Sequence, residues 1–301
     1  MSIKTVCVTG CLGFMGSHFT RACLKKGWRV WGIDAKTYAA RPEWLAEFKK
    51  NRAFEFLEAD IAELDHLYEV DAVFNFAAET HVDNSIVDSS RFLHSNIIGV
   101  QNLLELIRAK RHYEMPTLFQ ISTDEVYGDI TGGSHKVTDA LKPSNPYSAS
   151  KASADMLIMA WHRTHGVPYM IARPTNNYGI GQYPEKLIPK SVKYLALGKP
   201  IPLHGDGSFV RNWLHVEDLV AGVMTIFEKG ELNRIYNVAG NHEVSNREVV
   251  SEVLRAYFGR SVPLDKYVKF QYVRQGEDVR YSLDDAALRK LGWKNTKQFK
   301  P

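Results

Sequence analysis

The chain has 301 residues, of which 45% are hydrophobic and 24% are charged, and 38 basic and 34 acidic residues give it a net charge of +4. This composition excludes a disordered chain, and the small positive charge without a long basic run argues against nucleic-acid binding. No apolar run approaches the roughly 20 residues of a transmembrane helix, so we expect no membrane partner.

The cysteines are Cys7, Cys11 and Cys23, and their spacing fits neither a zinc site nor a disulfide framework. No signal-peptide pattern opens the chain, since residues 2–5 lead directly into a strand pattern. We therefore expect a reduced, cytoplasmic protein without a bound metal.

From residue 3 to about residue 173, predicted strands alternate with predicted helices. The strand predictions are residues 3–9, 29–33, 54–57, 71–76, 117–122 and 168–172, and the helix predictions are residues 14–26, 92–111 and 147–165. This alternation is typical of an α/β fold with a doubly wound parallel sheet, the Rossmann arrangement. Ligands bind such sheets at the carboxyl ends of the strands.

Prolines interrupt the pattern after Arg173, at Pro174, Pro184, Pro189, Pro200 and Pro202. We predict a Rossmann domain for cofactor binding over residues 1–173 and a smaller α/β cap for substrate binding over most of residues 174–301. Part of residues 210–235 is expected to return to the first domain. One clear helix is predicted near residues 247–257.

Three glycines, Gly10, Gly13 and Gly16, follow the first strand and open the first helix. Such a turn lets the backbone approach a pyrophosphate, although a structural turn without a ligand is an alternative. Asp34 ends the second strand, where a carboxylate accepts hydrogen bonds from an adenosine ribose and repels a 2′-phosphate. NAD is therefore favoured, but the nearby Lys36 and Arg41 leave NADP open.

Tyr147 and Lys151 are four residues apart and share one face of a predicted helix. A phenol is a poor base at neutral pH, and a neighbouring ammonium group lowers its pKa. The pair is thus suited to proton exchange with a sugar hydroxyl, although this spacing is also common on solvated helices.

Asp124 and Glu125 follow the fifth strand as adjacent carboxyl groups. On an irregular turn they point in different directions, so that one can act as a protonated acid and the other as an ionised base. The alternative is a capped turn in which Asp124 serves as the helix cap.

These segments together resemble the extended short-chain dehydrogenase/reductases, and among them the nucleoside-diphosphate-glucose 4,6-dehydratases of the dTDP-glucose type. The resemblance covers essentially the whole chain, and the segments that carry it are TGCLGFMGSHF, AAETHVDNSI, ISTDEVYG, YSASKASADM, PTNNYG, YPEKLIP, RNWLHVEDL and YNVAGNHEVSNREVV. The most specific element is Thr123-Asp124-Glu125, because the related 4-epimerases generally lack the acidic pair.

The resemblance implies a role for each matching residue. Tyr147 and Lys151 would be the catalytic couple, Glu125 would take the C5 proton, and Asp124 would protonate the departing C6 hydroxyl. Thr123 would hold the C4 hydroxyl or Tyr147. The NAD site would be lined by Gly10, Gly13, Phe14, Met15, Gly16, Asp34, Asp60, Ile61, Ala77, Ala78, Thr80, Tyr147 and Lys151. The sugar nucleotide would be held by His81, Asn176, Lys186, Arg211, Asn246 and Arg274.

Two departures from the dTDP-glucose pattern bear on substrate binding. Where those enzymes usually read Arg-Pro-Gly-His-Asp, residues 274–278 carry Glu277, which should weaken diphosphate binding unless it faces away. His204 stands where those enzymes usually have a tyrosine that stacks on the base. The nucleotide base therefore stays open between dTDP, UDP, GDP and CDP, and we expect a weaker preference for thymidine.

The sequence thus predicts an NAD-dependent dehydratase that converts a nucleoside-diphosphate-glucose to the 4-keto-6-deoxy sugar nucleotide. The alternatives are a 4-epimerase, which would not use the acidic pair, and a catalytically silent NAD-binding regulator. Helices 92–106 and 152–161 carry more apolar residues than one buried face needs, so we also expect a homodimer. The apolar residues expected at its interface are Ile97, Ile98, Leu103, Leu104, Met156, Leu157, Ile158, Met159 and Trp161.

Overall fold

The computed structural model describes residues 4–301, so that Ile3, the first residue of the predicted first strand, lies outside the described residues. The strands are β1 Thr5–Thr9, β2 Arg29–Asp34, β3 Phe54–Glu58, β4 Ala72–Asn75, β5 Thr117–Ile121, β6 Tyr169–Pro174, β7 Asn176–Tyr178, β8 Ile201–His204, β9 Val210–His215, β10 Arg234–Val238, β11 His242–Ser245 and β12 Val268–Gln271.

The helices cover both faces of the sheet and much of the second half of the chain. They are α1 Phe14–Lys25, α2 Pro42–Phe48, α3 Val82–Val87, α4 Ser90–Leu93, α5 Gly99–Arg108, α6 Pro146–His165, α7 Leu187–Ala196, α8 Val216–Lys229, α9 Asn246–Phe258 and α10 Ala286–Lys290. A π-helical turn, His94–Ile98, joins α4 to α5. The predicted helix over residues 92–111 is therefore present, but its first half is not regular α-helix.

Seven strands form one sheet in the order β10-β6-β5-β4-β1-β2-β3. Every neighbouring pair is parallel; in β1, for example, Val6 is level with Val30 on one side and Ala72 on the other. The predicted doubly wound parallel sheet is confirmed. The strand order reverses between β1 and β4, and the carboxyl edge at such a point opens the crevice where ligands bind.

The side chains of β1 show why the sheet is buried on both faces. Val6 and Val8 pack in the same apolar cluster as Phe19 of α1, whereas Cys7 packs in a second cluster with residues of α5 and α6. Alternate residues of a strand point to opposite faces, so an almost wholly apolar strand needs a helical layer on each side. Cys11 and Cys23 are also buried, and all three cysteines are free thiols.

The second half of the chain contributes to both the main sheet and a separate core. Strand β10 pairs with β6 at the edge of the main sheet, and α8 packs on α1. A three-stranded sheet, β11-β9-β7, and the pair β12-β8 surround an apolar cluster of their own. Helix α9 confirms the prediction over residues 247–257. The division into two domains at residue 173 stays a prediction.

No helix within residues 4–301 combines the length and the apolar character needed to cross a bilayer. The same residues contain no group of three or more His, Cys, Asp or Glu side chains arranged to hold a metal ion.

Candidate active site

The glycine-rich turn between β1 and α1 forms one wall of a cleft at the carboxyl edge of the sheet. Gly10 has a φ of +65°, and a Cβ atom there would lie 2.7 Å from the backbone nitrogen of Ala77. A Cβ atom on Gly16 would collide with the carbonyl oxygen of Gly10. Both positions therefore need glycine, and the absent side chains leave the start of α1 accessible to a pyrophosphate.

Two adjoining cavities, of about 650 and 1010 Å³, share the wall made by Gly10, Gly13 and Ala78. Every predicted cofactor residue except Lys151 lines one or both. The first cavity is lined by Gly10, Gly13, Asp34, Asp60, Ile61, Ala77 and Ala78. The second is lined by Gly10, Gly13, Phe14, Met15, Gly16, Ala78, Thr80 and Tyr147. A glycine wall that leads to a carboxylate at a strand end fits an adenine dinucleotide.

Asp34 is buried at the end of β2 and anchors the glycine turn. Its Oδ2 accepts a hydrogen bond from the backbone nitrogen of Leu12 at 2.9 Å, and its Oδ1 accepts one from that of Lys36 at 2.8 Å. Burial raises the pKa of this carboxyl group, and the two hydrogen bonds oppose the change. Each oxygen can still accept a second hydrogen bond, such as one from a ribose hydroxyl.

The two cations near Asp34 already have partners. The Lys36 Nζ atom lies 2.5 Å from Oε2 of Glu58. Arg41 pairs with Glu43 at 3.3 Å and also donates from Nε to the carbonyl oxygen of Gly181. Such exposed pairs are weak, but neither side chain lines either cavity.

The acidic pair lies in a short 3-10 turn, Asp124–Tyr127, just after β5. The Thr123 hydroxyl accepts a hydrogen bond from the backbone nitrogen of Glu125 at 3.3 Å and donates one to Asp124 Oδ1 at 3.2 Å. Thr123 is thus the cap, and the alternative that Asp124 caps this turn is wrong. Asp124 Oδ2 and Glu125 Oε2 are enclosed and have no hydrogen-bond partner within residues 4–301.

Asp124 and Glu125 have different surroundings, which affect their pKa values differently. Burial, and then the charge of Glu125, raise the pKa of Asp124 to about 8. Burial also raises the pKa of Glu125, but three cations oppose that change, Arg274, Lys186 and Arg211. A pKa near 8 favours the protonated form of Asp124 at neutral pH, whereas the three cations lessen the effect of burial on Glu125. The two carboxyl groups thus have different surroundings, as an acid and a base require.

Tyr147 faces the acidic pair from the start of α6. The Asn145 side chain caps this helix by accepting a hydrogen bond from the backbone nitrogen of Ser148 at 2.9 Å. Tyr147 is 7% exposed and lines the same cavity as Thr123, Asp124 and Glu125. Four of the five predicted catalytic residues therefore meet in one cavity.

Lys151, the fifth, lies behind the cavity wall one turn after Tyr147. Its Nζ atom donates to the carbonyl oxygen of Ile121, at the end of β5, over 2.6 Å. Burial lowers the pKa of Lys151 to about 8, and the charge of Asp155 opposes the change.

The pKa of Tyr147 departs from the sequence-based expectation. Burial raises it, the charges of Glu125 and Asp124 raise it further, and the neighbouring Thr123 hydroxyl opposes them. The sequence argument counted the ammonium group of Lys151 but not the enclosing walls or the acidic turn. With these surroundings alone, Tyr147 keeps its proton at neutral pH.

Two of the six predicted substrate-binding residues line the second cavity, and the other four lie outside its lining. Asn176 begins β7, and its buried Oδ1 has no hydrogen-bond partner within residues 4–301. Lys186 caps α7 and donates from Nζ to the carbonyl oxygen of Thr80 at 2.6 Å. His81 instead caps α3, and Asn246 begins α9 next to β9.

One carboxylate joins the two arginines proposed to bind the diphosphate. Glu277 Oε1 lies 2.5 Å from Arg211 Nη2, and its Oε2 lies 2.5 Å from Arg274 Nε. Arg274 Nη1 also donates to Asp83 Oδ1 at 2.9 Å. Glu277 therefore faces both guanidinium groups, and its expected weakening of diphosphate binding stays a prediction.

Sequence reasoning missed Asp83, which links several of these groups. Its Oδ2 lies 3.8 Å from His204 Nε2 and 3.9 Å from His81 Nε2. The nearby carboxylate of Asp83 raises the pKa of His204. The sequence offered one indication of this role, because Asp83 lies two residues after His81 in a segment already assigned to the site.

The comparisons with known proteins agree with this geometry. The model of the family described as GDP-mannose 4,6 dehydratase matches residues 7–301. The chain belongs to this family. The resemblance to sugar-nucleotide 4,6-dehydratases is thereby confirmed.

Three relatives are similar to this chain over almost its whole length. A dTDP-glucose 4,6-dehydratase of Streptomyces griseus is 40% identical, over 95% of this chain and 88% of its own. The low-salt glycan biosynthesis protein Agl12 of Haloferax volcanii is also 40% identical, over 96% and 92%. The crystal structure of DesIV, a dTDP-glucose 4,6-dehydratase from Streptomyces venezuelae with NAD and TYD bound, has a TM-score of 0.91 and 38% identity, with 98% and 93% covered.

Proposed function

We propose that the protein is an NAD-dependent 4,6-dehydratase that converts a nucleoside-diphosphate-glucose to the 4-keto-6-deoxy sugar nucleotide. The observation that carries the proposal is the acidic pair Asp124 and Glu125, which lines one cavity together with Tyr147. Oxidation at C4 needs only a base and a hydride acceptor, whereas loss of water also needs a base at C5 and an acid at C6. The acidic pair meets that additional requirement.

NAD fits the groove formed by the glycine turn and Asp34, where it supplies a hydride acceptor at C4 and a hydride donor at C6. Gly10, Gly13 and Gly16 admit the pyrophosphate, and Asp34 accepts hydrogen bonds from the adenosine ribose. Because burial and the carboxylates raise the pKa of Tyr147, its role as base requires added positive charge in the cavity. Bound NAD⁺ would supply such a charge through its nicotinamide ring.

The side chains then act in sequence on the sugar. Tyr147 takes the proton of the C4 hydroxyl while the C4 hydride passes to the acceptor that bound NAD would supply, and the resulting ketone acidifies the C5 proton. Glu125 removes that proton, while Asp124 protonates the C6 hydroxyl, which leaves as water. Return of the hydride to C6, with a proton returned to C5, would complete the 4-keto-6-deoxy product. The pKa of about 8 for Asp124 suits it for donation at neutral pH. Thr123 holds Asp124 and the backbone of Glu125 in place through its hydroxyl.

A panel of dTDP-, UDP-, GDP- and CDP-glucose, followed by mass spectrometry, tests this function. A dehydratase yields a product lighter by one water, whereas an epimerase yields an isomer of unchanged mass. A silent regulator would bind NAD and turn over none of the panel. We expect dTDP- or UDP-glucose to be the substrate, with a weaker preference for thymidine than in the dTDP-glucose enzymes, because His204 replaces the tyrosine that usually stacks on the base.

The cofactor assignment predicts tighter binding of NAD than of NADP, by at least about tenfold, because the Asp34 carboxylate repels a 2′-phosphate. Asp34→Asn keeps an acceptor oxygen and removes the charge, so its preference for NAD should shrink. Fluorescence titration of both cofactors measures the ratio. Glu55→Gln, an exposed side chain on β3, is the matched control and should keep the wild-type ratio. Equal affinities in the wild type would contradict the assignment.

We propose that the protein is a cytoplasmic homodimer. Of the apolar residues expected at the interface, Leu103, Leu104 and Ile158 are buried within one chain. Ile98 and Met156 are 48% and 61% exposed, and exposed apolar side chains of this kind suit a contact with a second copy.

The double variant Ile98→Glu, Met156→Lys is expected to be monomeric in light scattering, because charged side chains are costly to bury at such a contact. Val192→Lys, an exposed position on α7, is the control and should remain dimeric. A monomeric wild-type protein at micromolar concentration would rule out the proposed dimer.

A further inference from the structure

A buried asparagine joins the wall of the cofactor groove to the helix that carries Tyr147. Asn96 lies in the middle of the π-helical turn and is 1% exposed, whereas His94 and Ile98 at the two ends of the turn are exposed. π-Helical turns are rare and frequently occur at functional sites. The proton and hydride transfers described above do not use the amide of Asn96, so its burial there needs another explanation.

On one side, Asn96 holds the loop that follows β4. Its Oδ1 accepts a hydrogen bond from the backbone nitrogen of Glu79 at 2.9 Å, and its Nδ2 donates one to the backbone oxygen of the same residue at 3.0 Å. Glu79 lies beyond the end of β4 at Asn75, where strand pairing has stopped. The amide side chain therefore takes the place of a strand partner for these two backbone groups.

The loop held in this way, residues 77–80, lines both cavities, and we call it the cofactor loop. Glu79 lines the first cavity, Thr80 lines the second, and Ala78 lines both. Ser95, the residue before Asn96, also lines the first cavity. The amide of Asn96 thus bonds directly to the backbone of the groove wall, and a shift of this backbone would change the shape of the groove.

On its other side, Asn96 holds α6. Its Nδ2 also donates to Ser150 Oγ at 2.8 Å, and that hydroxyl donates in turn to the backbone oxygen of Tyr147 at 2.7 Å. Ser150 is 1% exposed, like Asn96, so water does not compete for these bonds. An asparagine amide offers two N–H donors and one carbonyl acceptor, and all are used here. A continuous chain of hydrogen bonds therefore runs from Glu79 to the backbone of Tyr147.

We propose that Asn96 is a positioning residue, whose amide sets the distance between the cofactor loop and Tyr147. Oxidation at C4 needs the hydride acceptor and the base to meet at the same carbon of the substrate, and a misplacement of about 1 Å can cost about 10²-fold in rate. The inference rests on the proposed function in one respect, since it takes Tyr147 as the base at the C4 hydroxyl.

Two variants separate the two sides of this link. Asn96→Leu keeps the branched shape of the side chain but loses all three hydrogen bonds, whereas Ser150→Ala loses only the connection to α6. Asn237→Leu is the matched control. Asn237 is also 1% exposed, donates to two backbone oxygens and accepts from a tyrosine hydroxyl, but it lies on β10 and lines neither cavity.

The first readout is hydrogen exchange of the free protein, which needs neither cofactor nor substrate. Since Asn96 Oδ1 holds the backbone N–H of Glu79, exchange in a peptide that contains the cofactor loop should be about tenfold faster in Asn96→Leu. Ser150→Ala and the control should keep the wild-type exchange rate in this peptide.

The other two readouts are the NAD dissociation constant, from tryptophan fluorescence, and the single-turnover rate of nicotinamide reduction by the sugar nucleotide. Asn96→Leu should bind NAD several-fold more weakly and reduce it about 10²-fold more slowly. Ser150→Ala should bind NAD like the wild type but reduce it about five- to tenfold more slowly, because only the helix of Tyr147 is released. The control should have a lower melting temperature but the wild-type affinity and rate.

A wild-type reduction rate in Ser150→Ala would show that the link to α6 does not position Tyr147, and would overturn the proposal even where Asn96→Leu fails to fold. Unchanged exchange of the cofactor loop in folded Asn96→Leu, or unchanged NAD affinity, would overturn it as well. Absence of wild-type turnover with every sugar nucleotide would instead count against the proposed function, and exchange and NAD affinity would still decide whether Asn96 holds the cofactor loop.

Discussion

Glu125→Gln is expected to stop formation of the 4-keto-6-deoxy product while leaving oxidation at C4 intact. The glutamine keeps the shape of the side chain but cannot take the C5 proton, and loss of a general base typically costs about 10²–10⁴-fold. Since Tyr147 is untouched, the variant should show reduced-nicotinamide absorbance without product. Stopped-flow absorbance and deuterium exchange at C5 in heavy water measure the two steps separately.

Asp124→Asn provides the matched comparison on the neighbouring residue. It should also slow the loss of water, but by less, because the leaving hydroxyl can take a proton from Glu125 or from solvent. In the wild type, water loss should slow as pH rises through the Asp124 pKa of about 8, because the acid must carry its proton. Normal dehydration in Glu125→Gln, with deuterium still entering C5, would assign the base to another residue.

Tyr147→Phe is expected to reduce oxidation at C4 by about 10²–10⁴-fold, because only the ionisable oxygen is lost. The ring is 7% exposed and packs near Phe92, so the apolar contacts and the fold should be kept. NAD affinity should stay within a few-fold of the wild type, which calorimetry can verify.

Tyr257→Phe, which removes an exposed hydroxyl on α9, is the control for the same atomic change away from the cleft. It should retain wild-type turnover. Near-normal turnover in Tyr147→Phe itself would mean that the base at the C4 hydroxyl is another group.

Local sequence patterns were sufficient for six of the seven strands of the main sheet, and the edge strand β10 was not predicted as a strand. An apolar run that ends at a glycine, or at Asp34, predicts both that the strand is buried and where it ends. The same patterns placed the glycine turn, the acidic pair and Tyr147 at one edge, because parallel strands end together. The π-helical turn at His94–Ile98 has no comparable pattern, and the short strands β7, β8, β11 and β12 are defined by tertiary pairing.

The electrostatics of the site could not be predicted in this way. Arg211 and Arg274 were selected as residues that hold the sugar nucleotide, yet Glu277 contacts both, and Asp83, far away in sequence, contacts Arg274. The pKa of Tyr147 depends on enclosure and on two carboxylates as well as on a lysine four residues away. Such effects depend on distances in space between residues that no sequence spacing specifies.

The most direct test of the dehydratase mechanism follows a single hydrogen. A nucleoside-diphosphate-glucose labelled with deuterium at C4 would be converted with NAD as the only added cofactor, and the product examined by NMR and mass spectrometry. If the deuterium is removed from C4 and returned at C6, the product carries one deuterium in its C6 methyl group and has lost one water. Deuterium found at C4 of an isomer with unchanged mass would identify an epimerase and contradict the account.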